Sequence, residues 1–470
     1  MLRCDLRPHI SQMGYDLSPT PPYSSVHAAL GDNTVDSAEF DVFDGVTTDY
    51  YDQAIIDLPG RWKPMTGWMD ARMRNGLDPY SKYTAARIDT EIVAYARNGE
   101  PFPGVNFASQ DYLNLATEKR VINAATEAAE RYGVHSAGSS ALMGLTEMTI
   151  ELERKLATFL GVAHATVFPT GWGAGYGLIR TLVRRDDHVV IDLLAHACLQ
   201  EGADTATGNV HRFPHCSNEG VERRLARIRA ENPGAGILVV TETVFSMDSD
   251  VPDIAGLHAI CSRYGATLMV DVAHDLGAIG PCGRGYLELQ GALKNVDIVM
   301  GSFSKTFGSN GGFVASNRKE LKLALRYGCG PLTFTNAISP MQAAPVLSCL
   351  AIVDSPEGER RRKRLMENIL YMRSSLQSAG FQVLGVPSAI VPVVLGSNGL
   401  SRKMTSYMLN NGAIVNLVEY PAVAKNGCRW RVQLMHNHTR EQIDAFVITA
   451  VAARDAVSPG GDRLLSLVTA

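Results

Sequence analysis

The chain alternates short, dense apolar runs with longer amphipathic stretches. The runs at 165–168, 188–192, 236–242, 266–274 and 296–302 read as buried strands. Helix-like spacing follows them, opening at GWGAGYG (171–177), at HACLQEGADTAT (196–207) and around 253–264. Strand, helix, strand at this spacing predicts a mainly parallel sheet with helices on both faces, an α/β fold. Helical periods also occupy 117–132 and 147–160, separated by the glycine- and serine-rich loop YGVHSAGSSALMG. Residues 317–350 read as helical. Beyond them, strand-like FQVLG, AIVPVVLG, AIVNLVEYP and WRVQLM alternate with helical stretches at 356–379, 399–411 and 440–454. That pattern predicts a smaller C-terminal α+β domain. The expected division is an N-terminal extension (1–75), a segment packing on the body (76–150), a large domain (151–345) and a small domain (346–470).

Charge changes the picture only at the N-terminus. Between Gly31 and Gly60 stand eight acidic residues and no Lys or Arg. Such a stretch reads as a solvated arm or tether, or else as a docking arm for a basic partner or a second subunit. Arg61 to Tyr83 mixes aromatics with helical spacing and is expected to pack on the body. The whole chain of 470 residues carries a net charge of −4, which gives no electrostatic case for nucleic acid or an anionic membrane. No apolar run reaches spanning length and no secretory h-region opens the chain, so a cytoplasmic protein is expected. The eight cysteines form no CxxC pair and fit free thiols in a reducing compartment. His436 and His438 tempt a metal reading, but no third ligand spacing supports it, and no metal is expected.

Candidate chemistry collects where the strands end. In open sheets of this kind, ligands bind outside the carboxyl ends of the strands. His196, Ser246, Asp271, His274 and Lys305 each fall just after an apolar run. Lys305 lies in GSFSKTFG, between small hydroxyls and glycines that let backbone approach a ligand. Taken singly, each residue has an ordinary reading: Asp271 as a helix N-cap, the histidines as structural, Gly171–Gly175 as a packing turn. Taken in order, they offer an anion seat at a helix start, an imidazole able to stack on a flat ring, a carboxylate for a protonated ring nitrogen, and an amine nucleophile. That set describes a pyridoxal phosphate site.

At these residues the chain resembles the α-oxoamine synthases, pyridoxal phosphate enzymes of fold type I. The resemblance spans roughly residues 100–455. Its carriers are NFASQDYL, YGVHSAGSS, GWGAG, HAC, TETVFSMDSD, DVAHDLGAIGPCGRG, GSFSKTFGSNGG and RWRVQLMHNHT. It implies condensation of an amino acid with an acyl thioester, on CoA or a carrier protein, with decarboxylation to an α-amino ketone. It implies that Lys305 carries the cofactor and moves the α-proton, Asp271 pairs with the ring nitrogen, His196 stacks on the ring and His274 meets the ring hydroxyl. Gly171, Trp172, Ser246 and Ser302 would surround the cofactor oxygens. Thr335 and Asn336 would reach the phosphate from the other subunit of a homodimer, and Arg431 would hold the substrate carboxylate. Gln110 and Ser140 stand at substrate-facing positions, in place of the family's usual asparagine and arginine. Thr149, Val272 and Asp275 replace a histidine, a glutamate and a serine. The cofactor set is intact while the substrate shell has drifted. Other motifs resemble the quorum-sensing autoinducer synthases and the serine palmitoyltransferase branch. An aminotransferase or C–C lyase would share Lys305 and Asp271, and a non-catalytic binding protein would share the fold.

Overall fold

A computed structural model describes residues 40–457. In chain order the strands are Tyr83–Thr84 (β1), Glu91–Tyr95 (β2), Pro101–Phe107 (β3), His164–Phe168 (β4), His188–Asp192 (β5), Val210–Phe213 (β6) and Ile237–Glu242 (β7). Thr267–Asp271 (β8), Ile298–Ser302 (β9), Gly312–Ser316 (β10), Gln382–Val383 (β11), Ile390–Gly396 (β12), Ala413–Val418 (β13) and Cys428–Gln433 (β14) follow.

The large sheet has the order β4-β10-β9-β8-β7-β5-β6. Its strands β5 to β9 run parallel, and only β10 is antiparallel to its neighbours. All six residues of β7 and all five of β10 are buried, as expected for strands covered on both faces. The strand β10 was hidden in the sequence inside a glycine cluster. Gly311, at φ +114, makes the turn that returns the chain to the sheet.

The second sheet draws on both ends of the chain, in the order β1-β2-β3-β13-β14-β12-β11. Its seam is the parallel pair β3–β13, where Val105 stands opposite Ala413. Strands from within 76–150 thus share one sheet with strands from within 346–470. The predicted helices fall at Lys119–Tyr132, Glu147–Leu160, Ile254–Tyr264, Pro356–Ser378, Asn398–Asn410 and Arg440–Val457. The stretch read as helical over 317–350 is broken, between helices Gly330–Thr333 and Pro340–Val353.

The N-terminal segment does not stand free where it is described; residues 1–39 lie outside the described residues. Trp68 is fully buried and donates its indole N–H to the Asp41 carbonyl at 2.8 Å. Arg402 reaches the carbonyls of Val42, Phe43 and Gly45. Glu419 bridges Arg402 and Arg72 at 2.5 and 3.0 Å, all three buried. Acidic composition predicts solvation, but this segment docks through its backbone carbonyls and its indole, which composition does not reveal.

Candidate active site

The carboxyl edge of the large sheet carries a cavity of about 260 Å³. It is lined by Gly171, Trp172, His196, Asp271, His274, Ser302 and Lys305, among others. They arrive from four strand exits: β4 leads to Gly171 and Trp172, β5 to His196, β8 to Asp271 and His274, and β9 to Ser302 and Lys305.

Gly171 opens the helix Gly171–Leu182, N-capped by Thr170, whose hydroxyl accepts from the Gly173 N–H at 2.9 Å. The first N–H groups of a helix have no intrahelical partner and meet the positive end of its dipole. A Cβ on Gly171 would lie 2.6 Å from the Ser302 side chain, and one on Gly312 would lie 2.6 Å from the Gly171 Cα. The cradle at the helix start is therefore kept open by the absence of side chains.

Asp271, last residue of β8, is buried, and its carboxylate accepts one hydrogen bond, from the Ala273 N–H at 2.8 Å. Burial raises its pKa, while Lys305 opposes the shift. Opposite it in register, Glu242 ends β7. Its pKa is pushed well up, first by burial and then by Asp271. The Glu242 Oε1 accepts the His196 N–H at 2.5 Å and so fixes the loop that carries the imidazole. His196 Nδ1 accepts the Cys198 N–H at 3.3 Å, which leaves the ring proton on Nε2. Trp172 stands edge-on to that ring, 5.9 Å between centroids. Burial lowers the pKa of His196 and, more strongly, that of His274, whose Nδ1 lies 3.1 Å from the Tyr112 hydroxyl. Lys305 is also shifted down by burial, with Asp271 opposing.

Other expected site residues lie apart from this cavity. Gln110 lines an adjoining one of about 620 Å³, which shares Ser304, Lys305 and Asn310 with the first. Arg431 lines a third, of about 420 Å³, beside Tyr80, Lys82 and Asn416. Its Nε is buried without a hydrogen-bond partner. Ser140 is buried and donates to the Leu332 carbonyl at 3.2 Å, tying two loops together rather than facing a cavity. Ser246 is not among the lining residues. Thr335 and Asn336 are exposed in the single chain, and Asn336 meets His135 at 3.0 Å. His438 is occupied by the Met435 N–H and the Asn106 carbonyl, and burial lowers both His436 and His438 to about 4.

Sequence reasoning passed over Tyr112, Glu242 and Cys198, although all three stand inside the quoted motifs. Glu242 had a usable signal, since it closes an apolar run just as Asp271 does.

The residues present fit pyridoxal phosphate: a side-chain-free anion seat, a buried carboxylate with no ion-pair partner among the described residues, and an imidazole and a lysine whose pKa values burial lowers, around one cavity. The comparisons agree. The family model for aminotransferase class I and II matches residues 103–448. The 8-amino-7-oxononanoate synthase of Geobacter sulfurreducens is 36% identical over 386 residues, covering 82% of this chain and 96% of that protein. The serine palmitoyltransferase of Sphingobacterium spiritivorum is 32% identical, covering 79% and 90%. A solved structure of SPT with its PLP internal aldimine aligns at TM-score 0.80 and 30% identity, over 86% of this chain and 100% of that one. Sphingomonas wittichii serine palmitoyltransferase also gives 0.80, at 29% identity over 85% and 98%. The chain belongs to the aminotransferase class I and II family, within its α-oxoamine synthases, the pyridoxal-phosphate-dependent enzymes that join an amino acid to an acyl thioester with loss of CO2.

Proposed function

We propose that Lys305 carries the cofactor and then moves the proton at the substrate Cα, with CoA as the acyl carrier. The observation that carries this reading is the convergence of Lys305, Asp271, His274 and His196 on one cavity beside the glycine-lined helix start. Bound pyridoxal phosphate supplies an electron sink for charge developing at Cα. Gly171 and Trp172 hold the phosphate through their N–H groups, helped by Ser302. Asp271 keeps the ring nitrogen protonated, His196 covers the ring face and His274 meets the ring hydroxyl. A lysine accepts a proton only when neutral, and the downward shift from burial serves that need. Arg431, with its unpaired buried Nε, holds the amino acid carboxylate. Gln110 lies beside Lys305 on the side from which the acyl group approaches.

The site is completed by a second copy of the chain, through Thr335 and Asn336. Val134, Leu142, Met143 and Phe334, 70–90% exposed in the single chain, flank these residues and supply an apolar face for the pairing. The free cysteines suit a reducing cytoplasm, and among the described residues no helix is long and apolar enough to cross a membrane.

Borohydride reduction of the loaded enzyme followed by peptide mass analysis should mark Lys305, and an unmodified Lys305 would exclude the assignment. Amino acid plus acyl-CoA should release thiol and CO2 together. Amino transfer to a keto acid without thiol release would point instead to an aminotransferase.

A further inference from the structure

At the same carboxyl edge of the large sheet, residues that end or follow β5, β6 and β7 meet at a cluster that the condensation chemistry does not use. Asp192, the last residue of β5, is fully buried. Its Oδ1 lies 2.9 Å from His215 Nδ1, and its Oδ2 accepts the Cys216 N–H at 2.8 Å. The Cys216 Sγ is 3.8 Å from His215 Nδ1 and 3.5 Å from Nε2. One ligand atom from each of Asp192, His215 and Cys216 lies within 4.8 Å of the others. Asp250, after β7, approaches His215 Nε2 at 3.2 Å, and Phe245 packs edge-on against the imidazole at 4.4 Å.

We propose that Asp192, His215 and Cys216 bind a divalent transition ion of the zinc or cobalt class, with Asp250 orienting the imidazole from its far side. Carboxylate oxygen, imidazole nitrogen and thiolate sulfur are the zinc donor set. Metal bonds of about 2.0 Å to nitrogen or oxygen and about 2.3 Å to sulfur give tetrahedral edges of about 3.3 Å (N···O) and about 3.5 Å (N···S). The observed N···O of 2.9 Å and N···S of 3.8 Å lie within a few tenths of an ångström of these, and the third edge, within 4.8 Å, closes by rotation of the partly exposed Cys216 side chain. A hydrogen bond from the second imidazole nitrogen to a carboxylate is the usual outer partner of a metal-bound histidine. His215 and Cys216 are partly exposed, so an ion has access, and water fills the fourth position.

The site has a place in the fold. Asp192 stands four positions before His196, and His215 and Cys216 follow β6, so a bound ion would tie the loop that carries His196 to the loop after β6.

The test uses the purified full-length enzyme, cleared with a chelator and titrated with Co2+. One equivalent should bind with a sulfur-to-cobalt charge-transfer band. Cys216→Ser should abolish the band and weaken binding at least about 100-fold, and Asp250→Asn should weaken it about 10-fold. Cys282→Ser, at an exposed cysteine, should change neither. Binding without the band, or unchanged in Cys216→Ser, would assign the ion elsewhere, for instance to the His188–His211 pair, and overturn the proposal. No binding at micromolar Co2+ would overturn it too.

Discussion

The cofactor cavity and the substrate-side cavities are built in opposite ways. The first is assembled mainly from strand exits of one sheet, from β4, β5, β8 and β9, with Asn310 and Gly311 at the start of β10. Of the others, the cavity with Arg431 joins residues 79–109 to residues 414–431 across the β3–β13 seam, and the cavity with Gln110 joins residues 88–116 to residues 304–345. Local order thus fixes the chemistry common to the family. On the proposed function, long-range assembly fixes what the enzyme accepts.

The sharpest way to separate the two is Lys305→Ala. It removes both the attachment point and the proton carrier, so turnover should fall by about 10⁴-fold or more. Because the cradle and Asp271 remain, cofactor binding measured by equilibrium dialysis should persist, though weakened. Turnover within tenfold of the parent enzyme would show that the cavity is not the reacting centre.

Glu419→Ala probes the other region. This carboxylate lies between two buried guanidinium groups and accepts the Tyr80 hydroxyl at 2.7 Å. Its removal leaves both cations uncompensated, and breaking a buried pair in this way costs about 3–5 kcal/mol. Denaturant unfolding should show that loss in the transition that releases residues 40–80 and the second sheet, read by limited proteolysis near Arg61. Loss of the cofactor at the same denaturant concentration would mean that the regions unfold as one.

How much was legible in the sequence follows the same division. The runs ending in Asp271 and Lys305 announce strands, and their ends announce the site, because a parallel strand buried on both faces needs no partner information to be read. The strands β1 and β2 were not anticipated. They are short and partly exposed, and their pairing depends on contacts the local pattern does not encode. Trp68 and Arg402 show the same limit. The acidic stretch before Arg61 reads as solvated until the Arg402 guanidinium that donates to its backbone carbonyls comes into view. Ser140, expected at a substrate-facing position, donates to the Leu332 carbonyl, and Thr149, which stands where a histidine is frequent, lies in the first turn of the helix that Thr146 caps.

Arg431→Lys addresses the substrate side alone. A lysine keeps the charge but loses the planar fork, and a charge-assisted hydrogen bond contributes about 1.5–3 kcal/mol. The KM for the amino acid should rise about 10- to 100-fold, with kcat and the cofactor dissociation constant little changed. A fall in kcat at constant KM would place Arg431 with the reacting centre and blur the division.

The smallest effect is expected where the regions touch. Tyr112 comes from the N-terminal segment after β3, yet its hydroxyl reaches His274 in the cofactor cavity. Burial raises the Tyr112 pKa far above the usual phenol range, so its hydroxyl stays protonated beside Nδ1. Donating to Nδ1 would put the His274 proton on Nε2, the nitrogen that the proposed function turns to the ring hydroxyl. Tyr112→Phe deletes one neutral hydrogen bond, about 1 kcal/mol, and should weaken cofactor binding about fivefold. Because the change acts on the imidazole tautomer rather than on packing, thermal stability should move little while the pH profile of kcat shifts. An unchanged profile beside a large loss of stability would make Tyr112 a packing residue, and the two regions would then be coupled only through Lys305 and its shared cavity wall.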